Sequence, residues 1–426
     1  MWKHNVKSLK YHFSNILVRC TEIKPMKIRY RTLMSIGSAI DVHPNIRNKI
    51  LSGNPVVALE STIITHGMPY PQNLETAIKV EEIVKSEGST PATIAVINGR
   101  IKIGLEKHHL EQLALDKNNT NVIKCSTRDL LYAVSKGISG GTTVAATLFV
   151  ANKLGIKVFA TGGIGGVHRD GQNTFDISAD LIELGKSPMA VICSGVKSIL
   201  DIQKTLEFLE THGVCVATYQ VPDFEFPAFY TRKSGCKAPY NMENSEEAAE
   251  FIHSLLKIES KSGILLAVPI PEKDSIAGDL INNAIKNALN KCKENKIFGK
   301  NITPFVLQAV ANITEGKSLE ANISLIQNNA RVASQIAVKL HKLLPSANGK
   351  SSIFVKETPF ECSTHRISSK SYLKNQIRES GGVDRIEDID DNSKIPIVIG
   401  ASVIDINIKV QDDFKEKERK VGGKNK

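Results

Sequence analysis

The amino-acid sequence predicts an α/β fold, a single large domain in which a central β-sheet is flanked by helices. Short apolar runs typical of buried strands lie at 93–97, 158–161 and 264–268. They alternate with helix-like stretches, which is the pattern of layered α/β domains. The chain has 426 residues and is 41% hydrophobic, enough for a sizeable core.

Three segments carry helix signals. Residues 245–258 begin with Ser245 as the expected cap, followed by Glu246. Residues 319–344 have apolar residues at helical spacing, and Ala277-Gly278-Asp279 is expected to be a polar helix start. No apolar run reaches the about 20 residues of a membrane span, so we expect no membrane partner.

The charge is unevenly distributed along the chain. Residues 1–40 contain eight Lys or Arg and one acid, and so contribute seven of the eleven net positive charges. The remainder is too weakly basic to predict a nucleic-acid surface. Residues 1–34 resemble a mitochondrial transit peptide in composition, which predicts a mitochondrial location. A disordered basic extension on a cytoplasmic protein is the alternative.

The C-terminal part differs in composition from the main domain, which we place at 35–344. Residues 345–394 are polar and acidic, as expected of a linker. Residues 395–426 resemble, over a short stretch, the first strand and sugar-contacting Asp of a ribokinase-like carbohydrate kinase. Nothing after them provides a nucleotide site, so we expect no kinase activity from this incomplete start or tail.

The seven cysteines form no C-x-x-C pair. Their odd number and spacing predict a reducing compartment and argue against a disulfide framework or a zinc site.

Lys197 follows an apolar strand-like run, 190–193, and is the leading candidate for a catalytic group. Open α/β sheets bind ligands beyond the carboxyl ends of their strands. A desolvated lysine amine has a lowered pKa and forms Schiff bases with carbonyl carbons. A lysine that extends from a strand end into solvent is the alternative.

Other apolar runs end in the same way. The apolar run 55–59 leads into Glu60, and polar or small residues occur at 123–130, 140–147 and 159–169. Loops that follow several strands are expected to converge on one pocket. The glycines at 162–166 do not have the G-x-G-x-x-G spacing, so we predict no dinucleotide cofactor there.

The chain resembles the pseudouridine-5′-phosphate glycosidases over residues 35–343. The likeness is carried by long strings, at 161–169, 226–232, 269–272, 302–305 and 328–331. The resemblance implies cleavage of the carbon–carbon bond between uracil C5 and the ribose anomeric carbon, with uptake of water. It also implies a homotrimer and the products uracil and ribose 5-phosphate.

The resemblance assigns Lys197 as the nucleophile and Glu60 as the proton donor. This agrees with the chemistry, because a C-glycoside is poorly suited to simple oxocarbenium hydrolysis, whereas ring opening on an amine allows the carbon–carbon bond to break. The resemblance also places Mn²⁺ at Asp176. The residue pattern alone favours a helix cap at Asp176.

The resemblance further implies a set of substrate-binding residues. Lys124 is a cation suited to the 5′-phosphate, and the backbone at Val144 follows Gly140-Gly141, where no Cβ obstructs an anion. A hydrogen-bonded structural role is the alternative for His168. The full set is Lys124, Val144, Thr161, His168, Ser178, Ala179, Asp180 and Asn322.

Three positions depart from the family pattern, namely Cys125, Thr127 and Val268, and none is a proposed catalytic group. Two other functional classes stay open. One is a different Schiff-base lyase or aldolase acting on a phosphorylated sugar, and the other is a catalytically silent homologue.

Overall fold

A computed structural model describes residues 39–344, except 116–121 and 298, together with 397–399 and 402–404. The predicted leader at 1–34 and linker at 345–394 lie outside the described residues. Residues 1–353 and 354–426 form separate units.

Eleven strands form one mixed sheet in the first unit. In chain order, the strands of this unit are β1 (Ile40–Val42), β2 (Val56–Leu59), β3 (Thr90–Ile97), β4 (Arg100–Ile103), β5 (Val122–Cys125), β6 (Ser139–Thr142), β7 (Val158–Ala160), β8 (Val167–His168), β9 (Ala190–Cys193), β10 (Leu200–Asp201), β11 (Cys215–Tyr219), β12 (Tyr240–Met242) and β13 (Ile264–Ala267). Of these, β8 and β10 form a separate antiparallel pair.

The helices alternate with these strands, as the sequence predicts. They are α1 (Pro44–Leu51), α2 (Gln72–Ser86), α3 (Lys107–Leu115), α4 (Thr127–Lys136), α5 (Val144–Lys153), α6 (Gly171–Thr174), α7 (Ala179–Leu184), α8 (Ile202–Thr211), α9 (Ser245–Lys257), α10 (Gly278–Glu294), α11 (Ile302–Ile313) and α12 (Lys317–Leu343). A single π-helical turn spans Ile63–Gly67.

The strand order is β1-β4-β3-β2-β7-β9-β13-β11-β12, and β5 and β6 branch from β3. From β3 to β12 every neighbouring pair is parallel. After β2 the chain first adds β3 on one side, and later adds β7 and β9 on the other. The boundary between β2 and β7 is therefore a topological switch point, where loops diverge and leave a crevice.

Two groups of helices cover the sheet. One consists of α2, α9 and α12, and α12 packs on β2, β7 and β9. The other includes α5, α7 and α8. The strands between them are buried on both faces, which explains why β2, β7, β9 and β13 consist of apolar residues without polar alternation. The predicted α/β class with flanking helices is thus confirmed.

The predicted helix at 245–258 is confirmed as α9, but its expected cap is wrong. The N-cap is Asn244, whose side chain accepts a hydrogen bond of 2.9 Å from the Glu247 amide. Ser245 is the first helical residue instead. The helix predicted at Ala277-Gly278-Asp279 is also confirmed, because α10 begins at Gly278 with Asp279 in its first turn.

Residues 397–399 and 402–404 form a short antiparallel pair of strands, β14 (Ile397–Ile399) and β15 (Ser402–Ile404).

None of the described helices combines the length and the apolar content that a membrane span needs. The five cysteines among the described residues are free thiols.

Candidate active site

The carboxyl ends of three adjacent parallel strands, β2, β7 and β9, open into a cavity of about 320 Å³. Glu60 directly follows β2, and Lys197 lies four residues after β9. Both side chains line the cavity. The two catalytic candidates, 137 positions apart in sequence, thus meet at the switch point of the sheet.

The Glu60 carboxylate accepts a hydrogen bond from the Thr161 hydroxyl, which follows β7. Burial raises the pKa of the Glu60 carboxyl above its ordinary value. The Lys197 ammonium, the Thr161 hydroxyl and Lys124 oppose this shift, while the Asp180 carboxylate adds to it. Burial is the largest of these effects, so Glu60 retains its proton to a higher pH than an exposed glutamate.

Lys197 is half-buried at the end of a tightly packed turn. Its amide donates to the Ile164 carbonyl at 3.0 Å, which fixes the backbone beneath the side chain. Gly195, two residues before it, has a φ of +83°, and a Cβ there would lie 2.5 Å from the Pro227 carbonyl oxygen. Only glycine allows this turn without displacing the neighbouring backbone.

The segment after β7, Gly162–Gly166, runs into β8 and not into a helix, so it does not form a dinucleotide loop. It is fixed by Asp180 in the first turn of α7. The Asp180 carboxylate accepts from the Gly165 amide and from the Ala145 amide, both at 2.8 Å. Asp180 lines the cavity, and its two oxygens bind the backbone of this loop and of the start of α5.

Helices α4 and α5 both begin at the cavity. They follow the parallel strands β5 and β6, and their first residues, Thr127 and Val144, line the wall. The N-terminus of a helix carries a partial positive charge that favours anions. Lys124 and Arg128 also line the cavity, as does Asp129, which pairs with Arg128 at 3.5 Å. Lys124 and the two helix N-termini make this end of the cavity electropositive.

The glycines before Val144 also allow a close approach between two segments of the fold. Gly140 and Gly141 lie within β6. A Cβ at Gly141 would lie 2.2 Å from the Thr65 hydroxyl oxygen and 2.9 Å from the Ser61 carbonyl oxygen. Glycine at 141 therefore allows β6 to pack against the segment after Glu60, while Val144 at the start of α5 lines the cavity.

Asp176 and His168 form a second polar group on the cavity wall. The Asp176 Oδ2 and His168 Nε2 atoms are 3.7 Å apart, and the His168 amide donates to the Asp176 carbonyl at 3.1 Å. Burial lowers the pKa of His168, Lys124 lowers it further, and the Asp176 carboxylate opposes both. The expected helix cap at Asp176 is wrong, because Ser178 caps α7 by accepting from the Asp180 amide at 3.2 Å.

Ten of the eleven predicted site residues line the cavity; the exception is Thr161, which is fully buried behind Glu60 and contacts it directly. Of the positions that depart from the family pattern, Thr127 lines the wall, whereas Cys125 and Val268 are buried in the core. The ten lining residues are Glu60, Lys124, Val144, His168, Asp176, Ser178, Ala179, Asp180, Lys197 and Asn322.

Part of the cavity wall consists of residues that the sequence does not predict as site residues. Helix α11 contributes Thr303, Pro304 and Leu307 there, and Phe229 also lines the cavity. Residues 302–305 are one of the strings that carry the family resemblance, but the residues that α11 contributes to the wall include no acid or base. Their apolar pattern is that of any packed helix, so sequence periodicity does not distinguish them.

Residues 45–339 match the family model described as "Indigoidine synthase A like protein". The chain is 51% identical over 308 residues to a pseudouridine-5′-phosphate glycosidase of Caldanaerobacter subterraneus, covering 72% of the chain and 99% of that protein. It is also 51% identical over 309 residues to a pseudouridine-5′-phosphate glycosidase of Arabidopsis thaliana, covering 72% of the chain and 92% of that protein.

Solved structures show the same fold. The crystal structure of a prealnumycin C-glycosynthase in complex with ribulose 5-phosphate matches with a TM-score of 0.65 and 35% identity, covering 72% of the chain and 98% of that structure. An indigoidine synthase A-like protein of Thermotoga maritima matches with a TM-score of 0.64 and 34% identity, covering 71% and 96%.

Proposed function

The chain belongs to the indigoidine synthase A-like family, and we infer from this membership and from its site that it is a pseudouridine-5′-phosphate glycosidase, a lyase. The observation that carries this inference is the pairing of a half-buried Glu60, whose pKa is raised, with Lys197 at one end of the sheet. A proton donor beside an amine is the pair that ring opening and Schiff-base formation require.

The first chemical step opens the sugar ring. The Lys197 amine forms a bond to C1′ of the ribose, the C1′–O4′ bond breaks, and O4′ takes the proton of Glu60. The raised pKa of Glu60 favours this role, because the carboxyl holds its proton until O4′ needs it. The Thr161 hydroxyl orients the carboxylate that remains.

The second step breaks the glycosidic carbon–carbon bond. The Glu60 carboxylate takes a proton from the Lys197 nitrogen, and uracil C5 gains a proton while the positive charge that results is carried by C6 and N1. The nitrogen lone pair of Lys197 then forms a double bond to C1′, and the electron pair of the C1′–C5 bond restores the C5=C6 double bond of the released uracil. Water then adds to the imine, which frees Lys197 and gives ribose 5-phosphate, so one water is consumed overall.

The cavity orients the substrate for this sequence. We place the 5′-phosphate at the electropositive end formed by Lys124 and the starts of α4 and α5. The uracil then lies toward Asn322 and the apolar side chains of α11, which suit a flat base. We assign the ribose hydroxyls to Ser178, His168 and the backbone of Ala179, which also line the cavity.

The test of this function is release of uracil from pseudouridine 5′-phosphate, with borohydride added during turnover. We expect reduction to trap a ribose-phosphate adduct on Lys197, and Lys197→Ala to lose uracil release while keeping its fold. The control is Lys204→Ala, since Lys204 lies in α8 outside the residues that line the cavity and pairs with Asp201 at 2.9 Å. An adduct on another lysine, or normal turnover in Lys197→Ala, would exclude the nucleophile assignment.

A phosphosugar aldolase would share Lys197 and Lys124, and substrate profiling separates the two activities. We expect uracil release and no aldol cleavage of phosphorylated sugars. A folded protein with neither activity would instead identify a silent homologue.

We propose that Asp176 holds Mn²⁺. Its carboxylate lines the cavity, and hard oxygen ligands suit this ion. The described residues contain no group of three or more ligating His, Cys, Asp or Glu side chains, so water would complete the coordination. The bound ion would supply positive charge beside the ribose hydroxyls, while His168 holds the Asp176 segment through its amide.

The metal proposal predicts that chelation abolishes uracil release and that Mn²⁺ restores it. Asp176→Ala is expected to raise the Mn²⁺ concentration needed for half-maximal activity and to weaken Mn²⁺ binding measured by electron paramagnetic resonance. The control is Asp170→Ala, at an exposed carboxylate six residues away that bonds Asn173. Full activity after exhaustive removal of metal would contradict the requirement.

We also propose a homotrimer and a mitochondrial location. The trimer is supported by the family resemblance and by large apolar side chains exposed on α4, Leu131 and Tyr132. The location is supported by the basic composition of residues 1–34.

A further inference from the structure

Asn329 lies in the middle of α12 with its side chain fully buried, and the reaction steps above do not use it. Burying an amide is costly unless its donors and acceptors are paired. The Asn329 side chain is paired entirely with the ends of two strands of the sheet. This arrangement requires an explanation beyond packing, because apolar residues fill most of this face of α12.

The Asn329 amide nitrogen donates to the Thr161 carbonyl at 2.8 Å and to the Gly162 carbonyl at 3.3 Å. These residues follow β7, and the Thr161 hydroxyl donates to the Glu60 carboxylate. One side of the Asn329 amide thus fixes the residue that orients the proton donor.

The same side chain contacts the segment after β9. The Asn329 amide nitrogen is 3.1 Å from the Ser194 hydroxyl, and the Asn329 carbonyl oxygen is 3.3 Å from it. Ser194 is fully buried and precedes the turn that carries Lys197. Its amide donates to the Gly162 carbonyl at 2.9 Å, so the two segments are joined directly below the cavity.

We propose that Asn329 is a positioning residue that sets the separation of the proton donor and the nucleophile. It is the side chain on α12 that bonds both the β7 end behind Glu60 and the β9 end before Lys197. An error of about 1 Å between reacting groups costs on the order of a hundredfold in rate. The inference rests on the proposed function, since it concerns the same two groups.

The test uses the full chain and the variants Asn329→Asp, Thr161→Val and their combination. Asn329→Asp keeps the shape but removes the amide donors that Thr161 and Gly162 require. Thr161→Val removes the hydroxyl that contacts Glu60. The matched control is Asn328→Asp, which adds the same charge at a partly exposed position beside Asn329. The readouts are kcat and KM for uracil release, with active sites counted by borohydride trapping.

We expect Asn329→Asp to lower kcat per trapped site by about tenfold to a hundredfold, with KM changed by less than about threefold. The combined variant is expected to lose less than the product of the two single losses, because Asn329 acts partly through Thr161. Asn328→Asp is expected to keep normal kcat. If Asn329→Asp does not fold, Asn329→Ser removes the amide without adding charge and gives the same test.

Normal kcat in a folded Asn329 variant would overturn the proposal. It would also be overturned by losses that multiply in the combined variant, or by an equal loss in Asn328→Asp. These results differ from a failure of the proposed function, in which the unaltered chain itself would release no uracil.

Discussion

At the residue scale, the central feature is that burial and the nearby positive charges have opposite effects on the pKa of Glu60. Burial favours the neutral carboxylic acid, whereas Lys197 and Lys124 favour the carboxylate, and burial has the largest effect on the pKa. A proton donor must be protonated before the step and able to lose its proton during it. The same surroundings meet both needs, because the nearby ammonium groups stabilise the carboxylate once the proton has left.

This balance predicts the pH dependence of the reaction. Since Glu60 acts in its protonated form and its pKa is raised, kcat is expected to fall as pH rises through that pKa, above the ordinary range of a glutamate. Glu60→Gln keeps an oxygen to accept from the Thr161 hydroxyl but has no acidic proton. It is expected to lower kcat by about a hundredfold or more and to remove this limb of the pH profile.

The stability of Glu60→Gln supplies the control. A carboxyl whose folded pKa is raised binds its proton more tightly in the folded protein, so its stabilising effect is full below the unfolded pKa and is lost as pH rises through the folded pKa. Glu60→Gln should therefore be at least as stable as the parent chain at neutral pH, by thermal unfolding. Normal turnover in Glu60→Gln would rule out the proton-donor role, and a lower melting temperature at neutral pH would contradict the raised pKa.

At the scale of secondary-structure elements, the site is assembled by connections between loops. Helix α7 holds the segment after β7 and the start of α5 through one carboxylate, that of Asp180. Helix α12 holds the segments after β7 and β9 through Asn329. The loops carry the reactive groups, and the two helices restrain the loops.

Asp180→Asn tests the first of these connections. An asparagine offers one oxygen where Asp180 uses two, so one amide, of Gly165 or Ala145, would face the NH₂ group. We expect a loss of about 1–3 kcal/mol in the free energy of unfolding, and a fall in kcat/KM because the start of α5 and the glycine segment are released. Denaturant unfolding and steady-state kinetics measure the two effects.

The matched control for Asp180→Asn is Glu183→Gln in the same helix. Glu183 accepts from the Ser187 hydroxyl at 2.9 Å with one oxygen, and glutamine preserves that acceptor. Glu183→Gln is expected to retain both stability and kcat/KM. Equal effects in the two variants would show that any lost charge in α7 has the same consequence, and would refute the specific role of Asp180.

At the scale of the whole molecule, the cavity is built within residues 60–322. The excess positive charge instead lies in residues 1–40, and the polar segment follows Leu344. The residues of the proposed active site and the two terminal segments therefore occupy different parts of the sequence.

A chain trimmed to residues 35–346 is expected to fold and to release uracil with kcat/KM within about twofold of the full chain, since all cavity residues remain. Light scattering should show a trimer for both chains. Imaging of fluorescent fusions should show mitochondrial import only when residues 1–34 are present. The full chain should not phosphorylate pseudouridine.

Three results would contradict these expectations. Loss of turnover in a folded trimmed chain would mean that a terminal segment completes the site or the oligomer. Import without residues 1–34 would reject the transit peptide. Phosphorylation of pseudouridine by the full chain would reject the expectation that residues 395–426 add no kinase activity.

The sequence alone predicts the fold class, several strand ends and helix starts, and the candidate reactive groups, because local residue types determine where strands end and helices begin. The apolar run before Glu60, the strand before Lys197 and the helix at Asp279 are visible as patterns, and the reaction class follows from the long strings shared with one family. Only the tertiary structure decides that Glu60, Thr161 and Lys197 meet, since strand order depends on pairings between distant segments. It also decides that Asp180 binds two backbone amides, that Ser178 and not Asp176 caps α7, and that Asn329 connects two loops. The physical reason is that burial and hydrogen-bond partners are properties of the packed chain. The same residue type in the same local sequence therefore has a different role in a differently packed structure.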